Sequence, residues 1–129
     1  FKALKLWLSM RAFGLGEFRR GIERGFEMAD HAERTLRAAG TWEIVTPSQM
    51  GIVTFRWRDA SKTDAQIDAI TRGTVDRMRE DGYALVMSTA LNHRPVLRLC
   101  PINPGTDSGE IEETIRRLGR FSSEVSAKG

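Results

Sequence analysis

Residues 96–104 read Val96-Leu97-Arg98-Leu99-Cys100-Pro101-Ile102-Asn103-Pro104, and they give the clearest structural signal in the chain. Their aliphatic side chains form an apolar run that is too short for a helix. Pro95 and Pro101 bracket the run, and because proline has no backbone N–H, neither is expected inside a central strand. We therefore expect a short buried strand that ends abruptly and carries one cation, Arg98, on one of its faces.

Arg98 raises the functional question. Burying a guanidinium without a partner costs several kcal/mol. Arg98 must therefore pair with a carboxylate inside the domain, reach solvent at the edge of the sheet, or bind an anionic ligand. The sequence alone leaves these three alternatives open.

Length and composition limit the classes of protein. The chain has 129 residues, which suggests one domain over residues 1–129. A single cysteine, Cys100, excludes an internal disulfide framework and is expected to be an inert buried thiol. No run is apolar enough to span a membrane, and we expect a cytoplasmic protein. The net charge is +3 and the pI about 9.5, but most arginines alternate with acids along helices, so we expect no nucleic-acid partner.

The order of predicted elements indicates an α+β fold. Apolar periodicity predicts a helix at 1–13, a break at Gly14-Leu15-Gly16, a long helix to about residue 39, and later helices at 63–80 and from about 107. Strands are expected at 41–46, 51–58 and 83–89 and at the Arg98 run, with Pro47-Ser48-Gln49 joining the first pair and residues 91–94 turning the second. Four strands in two short-linked pairs predict a two-layer sandwich, with an antiparallel sheet covered by helices.

Two features of the predicted helices indicate close contact with another part of the protein. Residues 1–13 are apolar on nearly all sides, which is typical of a helix buried on several sides. We interpret the chain as a fragment whose opening helix normally packs on protein that is missing. On the long helix, Gly21 and Gly25 lie on one side, and we expect another element to approach closely there.

The residues by themselves provide no credible catalytic or metal-binding set. There is no glycine-rich phosphate loop and no Gly-x-Ser-x-Gly motif. The histidines, His31 and His93, lack the spacing of metal ligands. We expect His31 to be solvated among charges on the long helix and His93 to lie at the surface in a turn.

Four segments resemble the group II pyridoxal-phosphate-dependent amino-acid decarboxylases, which include the aromatic-L-amino-acid, tyrosine, histidine and glutamate decarboxylases. These segments are residues 1–7 (FKALKLW) with 11–14 (RAFG), the long helix at 15–31, the glycine-led strand at 51–56, and residues 96–104, which are similar to the family pattern L-R-x-x-x-x-N-P. They occur in the family's order and cover almost the whole chain.

The resemblance implies that residues 1–129 are the C-terminal small domain of a longer fold-type I enzyme, with residues 1–13 as a linking helix on a missing large domain. The family's cofactor lysine follows a histidine upstream of residue 1; here His31 precedes Ala32 and His93 precedes Arg94. The resemblance therefore implies no catalytic, cofactor-binding or metal-binding residue in this chain. In the full-length enzyme it implies pyridoxal phosphate as cofactor, an amino-acid substrate that loses CO2, and a homodimer.

The resemblance also gives Arg98 a role, because glutamate decarboxylases use this position to contact a substrate carboxylate. His93 is a weaker candidate for the rim of the pocket. The alternative is that Arg98 pairs with an acid of this domain and only anchors the sheet. The substrate stays open, with aromatic amino acids favoured by the opening segment.

A different class of function remains as the rival interpretation. An independent, non-catalytic α+β module that binds a small ligand or forms oligomers would have the same strands and helices. The opening helix distinguishes the two, because a self-contained module has no need of an apolar helix at 1–13.

Overall fold

The computed structural model describes all 129 residues. Three helices and four strands follow one another as α1 (Lys2–Ala39), β1 (Trp42–Gln49), β2 (Ile52–Trp57), α2 (Asp64–Asp81), β3 (Met87–Leu91), β4 (Arg94–Leu99) and α3 (Ser108–Lys128). None of the three helices combines the length and the hydropathy that crossing a membrane requires.

The strands form one antiparallel sheet in the order β1-β2-β4-β3. Because β2 and β3 both run antiparallel to β4, α2 connects two parallel strands that lie on either side of β4. The predicted α+β class and the four-stranded antiparallel sheet are confirmed.

One face of the sheet is covered by helices. Val53 on β2 lies opposite Leu99 on β4, and Phe55 lies opposite Leu97, so these four side chains share a face. They belong to one hydrophobic cluster with side chains from all three helices. The helical members of this cluster are Met28, Ala32, Leu36, Val75, Met78, Ile111, Ile115, Leu118 and Phe121.

The other face carries a different set of residues. Thr54 lies opposite Arg98, Arg98 also lies opposite Met87 on β3, and Arg56 lies opposite Glu43 on β1. Side chains alternate along a strand, so these five residues point away from the helix-covered face. We call this set, Glu43, Thr54, Arg56, Met87 and Arg98, the open face.

Both predicted helix starts are capping boxes. The Thr63 side chain accepts from the backbone N–H of Gln66, and the Asp107 side chain accepts from that of Glu110. In each case the residue at the third position returns a hydrogen bond to the cap residue, so two unpaired donors at the helix terminus are satisfied.

The close approach predicted at the two glycines of α1 is confirmed, and the neighbour is the segment after β4. A Cβ added to Gly25 would lie 3.1 Å from the carbonyl oxygen of Pro101, and one added to Gly21 would lie 3.7 Å from Pro104 Cγ. A side chain at Gly25 would force the backbone of that segment to shift, whereas the contact at Gly21 is an ordinary van der Waals distance.

The predicted break after residue 13 is a kink inside one long helix. Gly14 has φ 82° and ψ 154°, a conformation that side chains disfavour. The helix resumes at once, so residues 1–13 form an arm of α1 that changes direction at Gly14. We call residues 1–13 the arm.

The predicted connection between β1 and β2 is wrong. Pro47, Ser48 and Gln49 belong to β1, and the chain turns at Met50-Gly51, where both φ values are positive. A proline can lie within β1 because β1 is an edge strand whose register with β2 is irregular on both sides of Thr46.

The predicted strand at 83–89 begins four residues later, at Met87. The turn at Asn92-His93 explains the shift, because both residues have left-handed φ values (50° and 62°), as a two-residue hairpin turn requires. That turn pairs β4 with residues 87–91 and leaves 83–86 outside the sheet.

Pro95 lies within β4, opposite Ala90, although proline was expected only at the border of this strand. The pairing of β4 with β2 involves Leu97 to Leu99 and does not reach Pro95. At this position β4 needs a ladder hydrogen bond on one side only, so the missing N–H is tolerated.

Candidate functional site

Arg98 is exposed on the open face, where it has neither an ion pair nor a hydrogen bond within the chain. Strand alternation places it there, because Leu97 and Leu99 on either side of it point into the core. The alternative that Arg98 pairs with an acid of this domain is wrong. Arg98 reaches solvent, but from the face of an inner strand and not at the edge of the sheet. Its guanidinium is therefore free to bind an anion from outside these residues.

Arg56, on the same face, is paired with the carboxylate of Glu43. Its Nε and Nη2 donate to the two carboxylate oxygens of Glu43 at 2.8 and 2.9 Å. The hydrogen bond from Arg56 lowers the pKa of the Glu43 carboxyl, and the hydrogen bond to Glu43 raises the pKa of the Arg56 guanidinium. This pair is satisfied internally and needs no ligand.

Arg94, at the start of β4, is paired as well. Its Nη2 donates to Asp68 Oδ1 at 2.9 Å, and its Nη1 lies 3.0 Å from Asp64 Oδ1. Both acids lie on the first turns of α2, so this contact ties β4 to the helical layer. Of the two arginines on β4, only Arg98 lacks a carboxylate.

Thr54 is a residue that sequence reasoning missed. It lies on β2 directly across from Arg98, the residue is 6% exposed, and its hydroxyl oxygen has no hydrogen-bond partner. The alternation of Val53, Phe55 and Trp57 predicts the face on which Thr54 lies. Its place beside Arg98 depends on the register between β2 and β4, which a single sequence does not specify.

His93 lies at the surface in the hairpin turn, as expected. It lies five positions before Arg98 in the chain, which is roughly 16 Å along a strand. The structure therefore does not bring the two candidate substrate-binding residues together within this chain.

Two other expectations need correction. His31 is not solvated: it is half-buried, and its Nε2 lies 3.0 Å from Glu112 Oε1, because α3 packs across α1 at this point. Cys100 is half-buried and follows the last residue of β4, so it is neither in the strand nor fully buried.

A groove of about 920 Å³ runs along α1, between the turn at Met50-Gly51 and the segment after β4. The spacing of Phe18, Ile22, Phe26, Ala29 and Leu36 predicts one buried apolar stripe along this helix. Ile22 and Phe26 are instead 54% and 39% exposed at the groove. The stripe is buried only from Met28 onward. The groove residues are Phe13, Glu17, Phe18, Arg20, Gly21, Ile22, Arg24, Gly25, Phe26, Met50, Gly51, Cys100, Pro101, Ile102 and Pro104.

The arm exposes large apolar side chains on several sides. These side chains form an exposed apolar surface of the kind that marks interaction sites in other proteins. The exposed apolar residues of the arm are Phe1, Leu4, Leu6, Trp7, Leu8 and Phe13.

The residues of this chain do not fit pyridoxal phosphate by themselves. That cofactor is held through a lysine, and the lysines here lie on the arm, in the loop before α2 and at the end of α3. Lys62 Nζ donates to the carbonyl oxygen of Ser126. None of these lysines belongs to the open face.

Comparison with known proteins identifies the family. A family model described as the pyridoxal-dependent decarboxylase conserved domain matches residues 1–58. The aromatic-L-amino-acid decarboxylase of Bacillus atrophaeus is 39% identical over 128 residues, which are 98% of this chain and 26% of that protein. Tryptophan decarboxylase 1 of Oryza sativa subsp. japonica is 32% identical over 102 residues, 76% of this chain and 20% of that protein. The chain belongs to the pyridoxal-dependent decarboxylase family.

Solved structures agree with this assignment. The crystal structure of Oryza sativa TDC with PLP and tryptamine aligns with a TM-score of 0.83 at 26% identity, over 95% of this chain and 27% of that one. A glutamate decarboxylase domain from Vibrio parahaemolyticus aligns with a TM-score of 0.81 at 16% identity, which shows a common fold. This chain spans about a quarter of the length of the first of these curated relatives and of both solved chains.

Proposed function

We propose that this chain is the C-terminal small domain of a pyridoxal-phosphate-dependent L-amino-acid decarboxylase, a lyase that releases CO2 and an amine. In this proposal Arg98 binds the carboxylate of the amino acid. The observation that carries it is the unpaired, exposed guanidinium of Arg98 on a sheet whose neighbouring arginines, Arg56 and Arg94, both have carboxylate partners.

The chemistry divides between this chain and the rest of the enzyme. Pyridoxal phosphate supplies the electron sink for loss of CO2, and groups outside these residues hold it. The contribution of Arg98 is to bind and orient an anionic group, since a guanidinium offers several charged N–H donors to carboxylate oxygens. An aromatic amino acid is the proposed substrate, because the decarboxylases cited above act on aromatic amino acids by name.

The apolar arm supports a proposal about assembly. We propose that residues 1–13 and the adjoining groove along α1 are covered by the large domain of the same chain, and that the enzyme is a cytoplasmic homodimer. The exposed side chains of the arm support this cover, because apolar surface of this kind associates in water. Light scattering of the full-length protein tests the dimer, and subcellular fractionation tests the location. A monomer at high concentration would contradict the proposed assembly.

The family-level proposal is tested by spectroscopy and by product formation. The 129-residue chain and the protein extended to its natural start are each mixed with pyridoxal phosphate. The extended protein should show the visible absorbance band of the bound cofactor and release CO2 from a panel of L-amino acids. If it does neither, the activity proposal fails, and a ligand-binding or oligomerisation module becomes the better interpretation.

The role of Arg98 is tested in the same full-length enzyme. Arg98→Ala should raise KM by about 10- to 100-fold, because a hydrogen bond to a charged group contributes roughly 1.5–3 kcal/mol. Arg72→Ala is the matched control, since Arg72 is an exposed arginine without an ion pair on α2. His93→Ala should change KM less than Arg98→Ala. An unchanged KM in Arg98→Ala would refute the proposed role.

A further inference from the structure

The hydroxyl of Thr54 is a buried polar group without a partner. Its oxygen has no hydrogen bond and is inaccessible to solvent, although most buried polar atoms in folded proteins are paired. Two other buried atoms lack a partner, Trp57 Nε1 and Arg77 Nε, but neither belongs to the open face. The Thr54 hydroxyl therefore has a hydrogen bond to donate to a group that reaches the open face.

The neighbours of Thr54 on the open face determine how a partner could reach it. Two long side chains flank Thr54: Arg56, two residues along β2, and Arg98, directly across on β4. Arg56 is held by its two hydrogen bonds to Glu43. Arg98 has no partner, so it is the neighbour that can change its conformation without breaking an interaction.

The separation of Thr54 and Arg98 suits one small anion. Directly opposed residues of an antiparallel pair have Cβ atoms about 4.5–5.5 Å apart. A carboxylate bound by the guanidinium can therefore have its second oxygen near the hydroxyl of Thr54. A hydroxyl donates one hydrogen bond, and an ionised carboxylate accepts several.

We infer that Thr54 and Arg98 form a two-point receptor for a carboxylate, in which Arg98 binds one oxygen and the Thr54 hydroxyl donates to the other. This inference rests on the proposed function of Arg98 and adds a second substrate-binding residue to it. The hydroxyl is buried in this structure, so a carboxylate reaches it only when a neighbouring side chain moves, and Arg98 can move without losing a partner.

The test uses the full-length enzyme and three substitutions. Thr54→Val keeps the shape of the side chain and removes the hydroxyl, Thr54→Ala removes it with less bulk, and Thr54→Ser keeps it. Thr54→Val and Thr54→Ala should raise KM for the amino acid about tenfold, while Thr54→Ser should stay within about twofold of the unsubstituted enzyme. The thermal midpoint of Thr54→Val should not fall, because the substitution removes an unsatisfied buried group.

Two inhibitors separate carboxylate binding from a general effect on the site. Phenylpropanoate keeps the carboxylate of an aromatic substrate, and phenylethylamine lacks it. Thr54→Val should weaken inhibition by phenylpropanoate about tenfold and leave inhibition by phenylethylamine unchanged. Equal weakening of both inhibitors would overturn the inference, as would a loss in Thr54→Ser as large as that in Thr54→Val.

The outcomes distinguish this inference from the proposal on which it rests. If Arg98→Ala raises KM and the Thr54 variants without a hydroxyl do not, the two-point receptor is wrong and the role of Arg98 stands. If Arg98→Ala leaves both KM and phenylpropanoate inhibition unchanged, the proposed function of Arg98 fails, and the receptor fails with it.

Discussion

Phe55 and Thr54 are neighbours on β2, yet they belong to two faces of the sheet with opposite properties. On the helix-covered face, Phe55 is fully buried in a cluster that draws on all three helices. On the open face, Arg98 lacks a carboxylate and the Thr54 hydroxyl lacks any partner. The first face is packed against the helices of this chain and has one unpaired donor, Trp57 Nε1, whereas on the second face both Arg98 and Thr54 lack a partner. This contrast separates the residues that hold the fold together from those that we assign to function.

The largest effect is expected from Phe55→Ala, which tests whether the helix-covered face provides most of the free energy of unfolding. Phe55→Ala should lower the free energy of unfolding by about 3–5 kcal/mol, because it removes a fully buried ring and leaves a cavity. The ring also packs edge-on against Trp42, with centroids 5.2 Å apart. Urea denaturation followed by tryptophan fluorescence measures the change.

Met87→Ala is the matched control on the open face. Met87 is 57% exposed, so its truncation should change the free energy of unfolding by no more than about 0.5 kcal/mol. Equal losses in Phe55→Ala and Met87→Ala would show that the two faces do not differ in the way described.

The two arginines of β4, Arg94 and Arg98, should differ by an intermediate amount in their contribution to the free energy of unfolding. Arg94→Ala should lower the free energy of unfolding by about 1.5–3 kcal/mol, because it leaves Asp68 half-buried without its donor. Arg98→Ala should change it by less than about 0.5 kcal/mol, since no partner is lost. Chemical denaturation compares both variants. A large loss of stability in Arg98→Ala would show that Arg98 has a structural role after all.

The smallest expected effect concerns pH and the contact between α1 and β1. Glu33 accepts a hydrogen bond from the backbone N–H of Ser48 at 2.5 Å, and this bond lowers the pKa of the Glu33 carboxyl below its ordinary 4.5. A lowered pKa in the folded state means that the carboxylate stabilises the fold above pH 4.5 and that this stabilisation is lost as the pH falls through the lowered value.

Glu33→Gln should therefore flatten the acid side of the stability profile. The unsubstituted protein should lose more stability than the variant when the pH falls below 4.5. Thermal midpoints measured over a series of acidic buffers give the two profiles. Parallel profiles would show that Glu33 does not contribute to the acid sensitivity.

Much of the architecture could be predicted because local chemistry specifies it. The starts of α2 and α3 and the ends of α1 and α2 lie within two residues of the predicted bounds, since helix capping depends on residues three or four positions apart. Strand boundaries were less predictable. Tyr83–Val86 has the composition of a strand, but the turn at Asn92-His93 pairs β4 with residues 87–91 instead.

Of the two residues of the candidate site, only Arg98 could be predicted from the sequence. Arg98 stands out because a cation interrupts an apolar run. Thr54 does not, because a threonine in a strand is ordinary until a neighbouring strand is placed beside it. The exposure of Ile22 and Phe26 was missed for a related reason: periodicity indicates which side of a helix is apolar, but not whether anything covers it.

The sequence by itself determined the fold class, the helix ends other than the break at Gly14, the alternation along β2 and β4, and the position of Arg98 on one face of a strand. These depend on interactions between residues close together in the chain. Only the tertiary structure decided that Arg94 has a carboxylate partner and Arg98 has none, that Thr54 lies across from Arg98, and that the segment after β4 touches α1 at Gly25. Those facts depend on register and on contacts between distant segments, which the packing of the whole core selects.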